Sequence, residues 1–149
     1  MSVELGLATR EDLPQLVALL GVLFSQEAEL VPDDTKQTRA LEKILSDESV
    51  GRIHVARESG RVVAMASLIY GISTAEGGLA ASFEDMIVLP GYRGKGIGTA
   101  LLQYVIAEAK RQGVLRLMLL TDRQNKRAQA LYRKLGFVES TMKAMRLKL

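Results

Sequence analysis

The chain contains no cysteine. That excludes structural disulfides, thiolate-bound zinc and a cysteine nucleophile, and it agrees with a reducing compartment. Tryptophan is also absent, and aromatic residues are only 5% of the 149 positions. That is few for the base-stacking surfaces of nucleic-acid binders, and no nucleic-acid motif is present. The single histidine, His54, falls in an early strand and reads as structural, so no metal site is expected. No uncharged apolar run approaches the roughly 18 residues a membrane helix requires. The opening MSVELGLATR lacks the basic-then-apolar layout of a secretory signal. The expected setting is cytoplasmic, without membrane attachment.

What remains is an ordinary globular composition, 48% hydrophobic and 25% charged, long enough for one domain over residues 1–149 with a single core. The six methionines read as core filling. Charge is unevenly placed. Residues 1–90 hold 7 Lys/Arg and 14 Asp/Glu, whereas residues 91–149 hold 13 and 3. Such a split suits an anionic ligand on the second part and a cationic one on the first, although two solvated surfaces would show the same split.

Periodicity and punctuation give the order of elements. Val3–Ala8 reads as a strand, followed by the capping-box spacing Thr9-x-x-Asp12 and a helix with Leu13, Val17, Leu20 and Phe24 inward. A second helix carries Leu41, Ile44 and Leu45. Arg52–Arg57 and the nearly all-apolar Arg61–Tyr70 read as a hairpin across Ser59-Gly60. Gly71–Gly78 reads as a loop. Ala81–Leu89 reads as a strand with Phe83, Asp85, Ile87 and Leu89 on one face, a parity that a bulge would scramble. Helices are expected over Gly96–Gln112 and Asn125–Leu135, with a strand at Val114–Thr121 between them. Phe137–Val138 and Ala144–Leu147 are expected to supply final strands. The class is α/β: a mixed, mostly antiparallel sheet of about 6–7 strands flanked by about 4 helices.

One stretch breaks a rule. In LPGYRGKGIGTALLQ, Arg93 and Lys95 sit at a helix start, where the unpaired N–H groups already carry positive charge. No acidic residue occurs between Asp85 and Glu108. Such an end is unfavourable until an anion arrives, and Gly94, Gly96 and Gly98 let main-chain N–H groups approach phosphate oxygens. The stretch reads as a pyrophosphate cradle. It is not a P-loop, because Ile97 stands where that motif needs lysine. It is not a dinucleotide fingerprint, because neither Gly-x-Gly register finds its third glycine.

The motif Arg-x-x-Gly-x-Gly at Arg93–Gly98, preceded by EDMIVLP, resembles the acetyl-CoA-binding motif of the GNAT superfamily of N-acetyltransferases. NKRAQALYRKLGF (Asn125–Phe137) is similar to the family's second signature, and LATREDLPQLVALL resembles its usual opening. The resemblance implies that acetyl-CoA is the co-substrate and that a primary amine attacks the thioester directly, in keeping with the missing cysteine. It places the pantetheine arm along Met86, Ile87 and Val88. The pyrophosphate falls on Arg93, Gly94, Lys95, Gly96, Ile97, Gly98 and Thr99. Asn125 assists the cofactor, although it also has the position of a helix N-cap. Tyr132 is implied as general acid, although it also lies on an apolar stripe with Ala128 and Leu135. A main-chain N–H near Val88 is the expected oxyanion partner. Glu84 is the candidate base, and it would serve equally as a salt-bridge acceptor.

The adjacent acids Glu84-Asp85 resemble the diamine-acetyltransferase branch. With the acidic first part they suggest a small cationic acceptor, polyamine-like or a basic amino acid, with a peptide or protein amine as the other possibility. A non-catalytic acyl-CoA-binding module is the alternative function, and a homodimer is implied by analogy alone.

Overall fold

In the computed structural model, residues 2–149 are described. Five strands form one sheet in the order β1-β2-β3-β4-β5. They are β1 (Glu4–Leu7), β2 (Gly51–Glu58), β3 (Arg61–Ser73), β4 (Gly78–Val88) and β5 (Leu117–Leu119). The first four are antiparallel neighbours. β5 lies parallel to β4, which requires the crossover helix between them. The helices are α1 (Leu13–Gln26), α2 (Asp34–Ser46), α3 (Ile97–Arg111) and α4 (Lys126–Lys134).

The start of α1 is fixed by side chains. Thr9 N–H donates to Asp12 Oδ2 at 2.7 Å, as the capping-box spacing predicts. The box closes a 3-10 turn over Arg10–Asp12, and the α-helix proper begins at Leu13. Both carboxylate oxygens of the buried Asp12 also accept from Arg57, each at 2.6 Å. This fork ties the helix entry to β2 and holds the Asp12 carboxyl below its usual range.

Two apolar layers sandwich the sheet. On one face Leu16, Leu19, Leu20 and Leu41 from α1 and α2 pack on Ile53, Val55, Val62, Met65 and Ile87. On the other, Leu101, Leu102, Val105 and Ala109 from α3 pack on Ala56, Ala64, Ala66, Leu68 and Phe83. β3 is therefore buried on both sides, which is why Arg61–Tyr70 shows no polar alternation. Ser59 and Gly60 both have positive φ, 49° and 80°, as a two-residue primed turn demands.

Four expectations are corrected. The loop expected over Gly71–Gly78 shrinks to a turn, because β3 runs on to Ser73 and Gly77 N–H bonds Ser73 O at 2.9 Å. The strand expected over Val114–Thr121 is confined to Leu117–Leu119. The final strands at Phe137–Val138 and Ala144–Leu147 do not join the sheet, so the described residues contain five strands rather than six or seven. Their alternation signals burial of one face, but a strand also needs a neighbouring backbone. Arg146 of this segment is instead held by Glu29 at 2.6 Å. Methionine is only partly core filling. Met65 is fully buried, whereas Met142 and Met145 are 87% and 92% exposed.

His54 is structural, as expected. It is fully buried on the α3 side, edge-on to Tyr104 at 5.9 Å between ring centroids. Burial is the largest cause that pushes its pKa down to about 4. A histidine that titrates lower in the folded chain than in the unfolded one keeps its full stability above about pH 6.5 and loses it as pH falls toward about 4. His54→Phe should therefore remove part of the stability loss between those pH values. Urea melts of both proteins at pH 7 and pH 5 measure it; an unchanged difference would show that His54 does not titrate with folding.

Candidate active site

β4 has two different edges. Along β3 it is paired from Gly78 to Val88 except at Asp85 and Met86, where the register shifts. Along β5 the pairing covers Ala81, Ser82 and Phe83 only. From Glu84 to Val88 the β5-side edge of the strand has no neighbour in the sheet, which leaves main-chain groups free to bond an extended ligand. The two parallel strands thus part in a V whose closed end lies at Phe83 and Leu119.

A bulge marks the closed end. Between the pairs Met65↔Ile87 and Ser67↔Glu84 the register shifts by one residue of β4, and Asp85 takes the left-handed conformation with φ 56°. The extra residue resets the alternation. Phe83, Met86 and Val88 pack in the layer under α3, while Ile87 and Leu89 pack under α1. The expected common face of Phe83, Asp85, Ile87 and Leu89 is therefore corrected. Glu84 is exposed and Asp85 half-buried. Burial, with the neighbouring Glu84 charge second, pushes the Asp85 carboxyl up to about 6.

At the open end of the V, Pro90–Tyr92 forms a short 3-10 turn and the chain bends into α3. Gly94 and Gly96 have φ of 76° and 83°, where a side chain is strained. No heavy atom lies within 4 Å of a Cβ built on Gly96, so the bend is open to a ligand. The first α-helical bond is Ala100 N–H to Gly96 O at 3.0 Å. Ahead of it the N–H groups from Gly94 to Thr99 have no backbone acceptor among the described residues. Arg93 and Lys95 are exposed beside them. Arg93 Nε donates to Val88 O at 2.8 Å, which ties the bend to the free edge. Gly98 differs from the other two. A Cβ there would meet Met86 Cε at 3.4 Å and Val88 Cγ2 at 3.5 Å, so this glycine serves close packing of α3 on β4.

α4 completes the open end and repeats the same charge signature. Its first turn holds Lys126 and Arg127 and no acid. Arg127 reaches across to within 3.8 Å of the Cβ position of Gly94. It is a basic group of the site that the motif reading missed; the signal was again a cation at a helix start. Asn125 is the N-cap of α4, its Oδ1 accepting from Ala128 N–H at 3.1 Å. Tyr132 lies two turns on, edge-on to Phe83 and Phe137 at 6.2 and 5.8 Å. Burial, and then Glu27 just past α1, push its phenol above the usual value. Glu27 is itself raised, by burial and then by Asp122. Tyr132 thus stands beside Phe83 at the closed end of the V, with Glu27 near it and Asp122 near Glu27.

These features fit a ligand with a diphosphate at one end and an amide-bearing arm at the other. The bend offers unpaired N–H groups and cations, and the β4 edge offers main-chain partners. The described residues contain no group of three or more His, Asp or Glu suited to a metal.

The fold and motifs belong to one class of protein. The profile of the acetyltransferase (GNAT) family matches residues 16–137, and the chain is a member of that family. Members take their acetyl group from acetyl-CoA. An uncharacterized N-acetyltransferase of Mycobacterium bovis is 37% identical over 95 residues, 64% of this chain and 58% of that protein. The ribosomal protein bS18-alanine N-acetyltransferase of Escherichia coli K12 is 40% identical over 63 residues, 42% of this chain and 43% of that one. The chain thus spans less than two thirds of the length of these curated relatives. An integron cassette protein from a salt-marsh metagenome has a solved structure with a TM-score of 0.84 and 30% identity. That match covers 97% of this chain and 90% of that one.

The glycines should separate in a binding experiment. Gly96→Ala places a side chain at φ 83° and should weaken coenzyme A binding on the order of tenfold, about the 1–2 kcal/mol of left-handed strain. Gly98→Ala makes ordinary contacts with movable side-chain ends and should bind within about threefold of wild type, under 1 kcal/mol. Titration calorimetry with coenzyme A reads both, and the reverse order would reject the assignment of roles.

Proposed function

We propose that the chain moves an acetyl group from acetyl-CoA to a primary amine by direct attack of the amine on the thioester. The observation that carries this reading is the free β4 edge at residues 84–88 running beside a bend of unpaired N–H groups and cations. The bend and α3 start, with Arg93, Lys95 and Arg127, hold the diphosphate. Met86, Ile87 and Val88 hold the arm, which places the thioester toward the closed end of the V. Holding both reactants there supplies much of the rate.

Tyr132 suits the general acid. Its phenol is held above its usual pKa, so it stays protonated at neutral pH and has a proton to give to the departing thiolate. A main-chain N–H of β4 at the closed end of the V would receive the developing oxyanion, rather than one near Val88, which stands about 10 Å away at 3.3 Å per residue. Asn125 acts by capping α4, which sets where Tyr132 stands. The acceptor we favour is a small cationic amine, because Glu84 and Asp85 stand at the closed end of the V and Glu27, which is in electrostatic reach of Tyr132, has Asp122 near it. The bS18 relative, named for acetylating an alanine of a ribosomal protein, keeps a peptide α-amine as the second candidate.

The test is thioester consumption with spermidine, 1,4-diaminobutane, lysine, an alanine-initiated peptide and glucosamine 6-phosphate. The cationic small amines should react fastest. Tyr132→Phe should lower kcat on the order of 100-fold with coenzyme A affinity unchanged. Preference for the sugar phosphate would reject the charge argument. Binding of coenzyme A without turnover of any acceptor would replace the enzyme by an acyl-CoA-binding module.

A further inference from the structure

The structure singles out a residue to which the family resemblance gave no catalytic role. We propose that the Asp85 carboxylate accepts the proton released by the attacking amine, in place of Glu84. The inference rests on the acetyl-transfer reading and names the base within it.

Three features of the backbone meet at Asp85. It is, with Met86, one of the two β4 residues at which the β3–β4 register slips. It has φ 56°, and Ser59 in the hairpin turn is the other non-glycine with positive φ among the described residues. It also comes two positions after Phe83, where pairing of β4 with β5 ends. A left-handed non-glycine outside a turn costs free energy and persists where the surroundings impose it. Here the surroundings are the two layers that hold Phe83 and Met86 under α3 and Ile87 under α1. They leave Glu84 and Asp85 as the pair of residues between, at the closed end of the V. An arm that runs inward along residues 88 to 86 delivers its reacting end to this point, about 10 Å from Val88 at 3.3 Å per residue.

The two acids of the pair are not equivalent. Glu84 is exposed and stands opposite Ser67 on β3. Asp85 is half-buried and accepts no hydrogen bond from a described residue. Burial first, then Glu84, raises its pKa to about 6. Ser67 and Met65 on β3, Leu117–Leu119 on β5 and all of α1 bring no charge to it. Tyr132 stands beside Phe83, with Glu27 and then Asp122 beyond it, and Glu84 is the one charge felt at Asp85. A carboxylate so placed is ionised at neutral pH yet basic enough to take a proton. Glu84 then serves to attract the ammonium form of the acceptor.

The step balances as follows. One ammonium proton passes to Asp85, and the freed amine nitrogen bonds to the thioester carbon. The carbon–sulfur bond breaks, and the thiolate takes the Tyr132 proton. The second nitrogen proton restores the Tyr132 phenol, and Asp85 releases its proton to solvent. The products are the N-acetyl amine and the free thiol.

Asp85→Asn removes the base but keeps a side chain that tolerates φ near 56°. Asp85→Gly removes it while relaxing the backbone. Each is compared with wild type by its kcat–pH profile from pH 5 to 10, using the fastest acceptor of the panel above. Carboxyl carbon NMR of aspartate-labelled protein supplies the second readout. Wild type should show a rising limb near pH 6 and a plateau beyond it, with one carboxyl titrating near 6. In both variants that limb and that resonance should disappear, kcat should fall at least 100-fold at pH 7, and the rate should climb toward pH 10 as free amine appears. Coenzyme A binding by calorimetry should remain. Loss of rate with the limb retained, or variant rates within twofold of wild type, would return the role to another group while acetyl transfer stands. No turnover by wild type would overturn both readings.

Discussion

Past Phe83 the fourth strand is hydrogen-bonded along one edge only, and the candidate site depends on that asymmetry. A fully paired β4 would have no main-chain groups to offer, and a fully unpaired one would have no fixed position. β3 holds it in place to Val88, while β5 leaves after three residues. The departure is built into the chain. β5 is short, α3 must pass over the sheet between β4 and β5, and Gly98 lets the helix settle on Met86 and Val88. The bulge at Asp85 adds twist where the strands begin to part. The same irregularity that opens the edge thus places a carboxylate beside it.

A second asymmetry is electrostatic. Helix starts usually gather acids, yet α3 and α4 both begin without one, and Arg93, Lys95, Lys126 and Arg127 stand around their ends. Both helices begin on the same side of the sheet, because each follows a strand of a parallel pair. Their positive ends and side chains therefore sum over one bend. Away from that bend, Glu84 lies beside Asp85, and Glu27 beside Asp122. On the proposed function the basic bend would meet the anionic cofactor and these acids the cationic acceptor.

Much of this was legible in the sequence because it rests on local rules. The glycine–cation stretch, the Thr9–Asp12 box, the Ser59-Gly60 turn and the unbroken apolar run of β3 each carry a short-range signature, and each lies where it was read. What escaped depends on neighbours. The alternation of β4 put Phe83 on one face with Ile87 and Leu89, which the structure separates, since a bulge is set by the partner strand and leaves no period of its own. The terminal segment has a strand's alternation but pairs with no strand among the described residues, and Arg146 is engaged by Glu29 instead. Arg127 was invisible as a site residue because its role arises from reaching Gly94 across two elements. Asn125 has the capping geometry that its position allowed from the start.

The three glycines of the bend show how one motif divides into separate physical tasks. At Gly94 and Gly96 the backbone is left-handed and the space beyond is nearly or wholly open; these two turn N–H groups outward. At Gly98 the backbone is helical and the space is filled by β4 side chains; this one sets the distance between helix and strand. Moving α3 outward by the width of a methyl group would also move its unpaired N–H groups relative to the free edge. On the proposed function anion and arm are gripped together, so the spacing between cradle and strand bears on both. Arg93 reinforces that spacing directly, since its side chain starts in the bend and ends on the carbonyl of Val88. The tie between bend and strand therefore rests on the arginine, while a Cβ at the last glycine would make only ordinary contacts with Met86 and Val88.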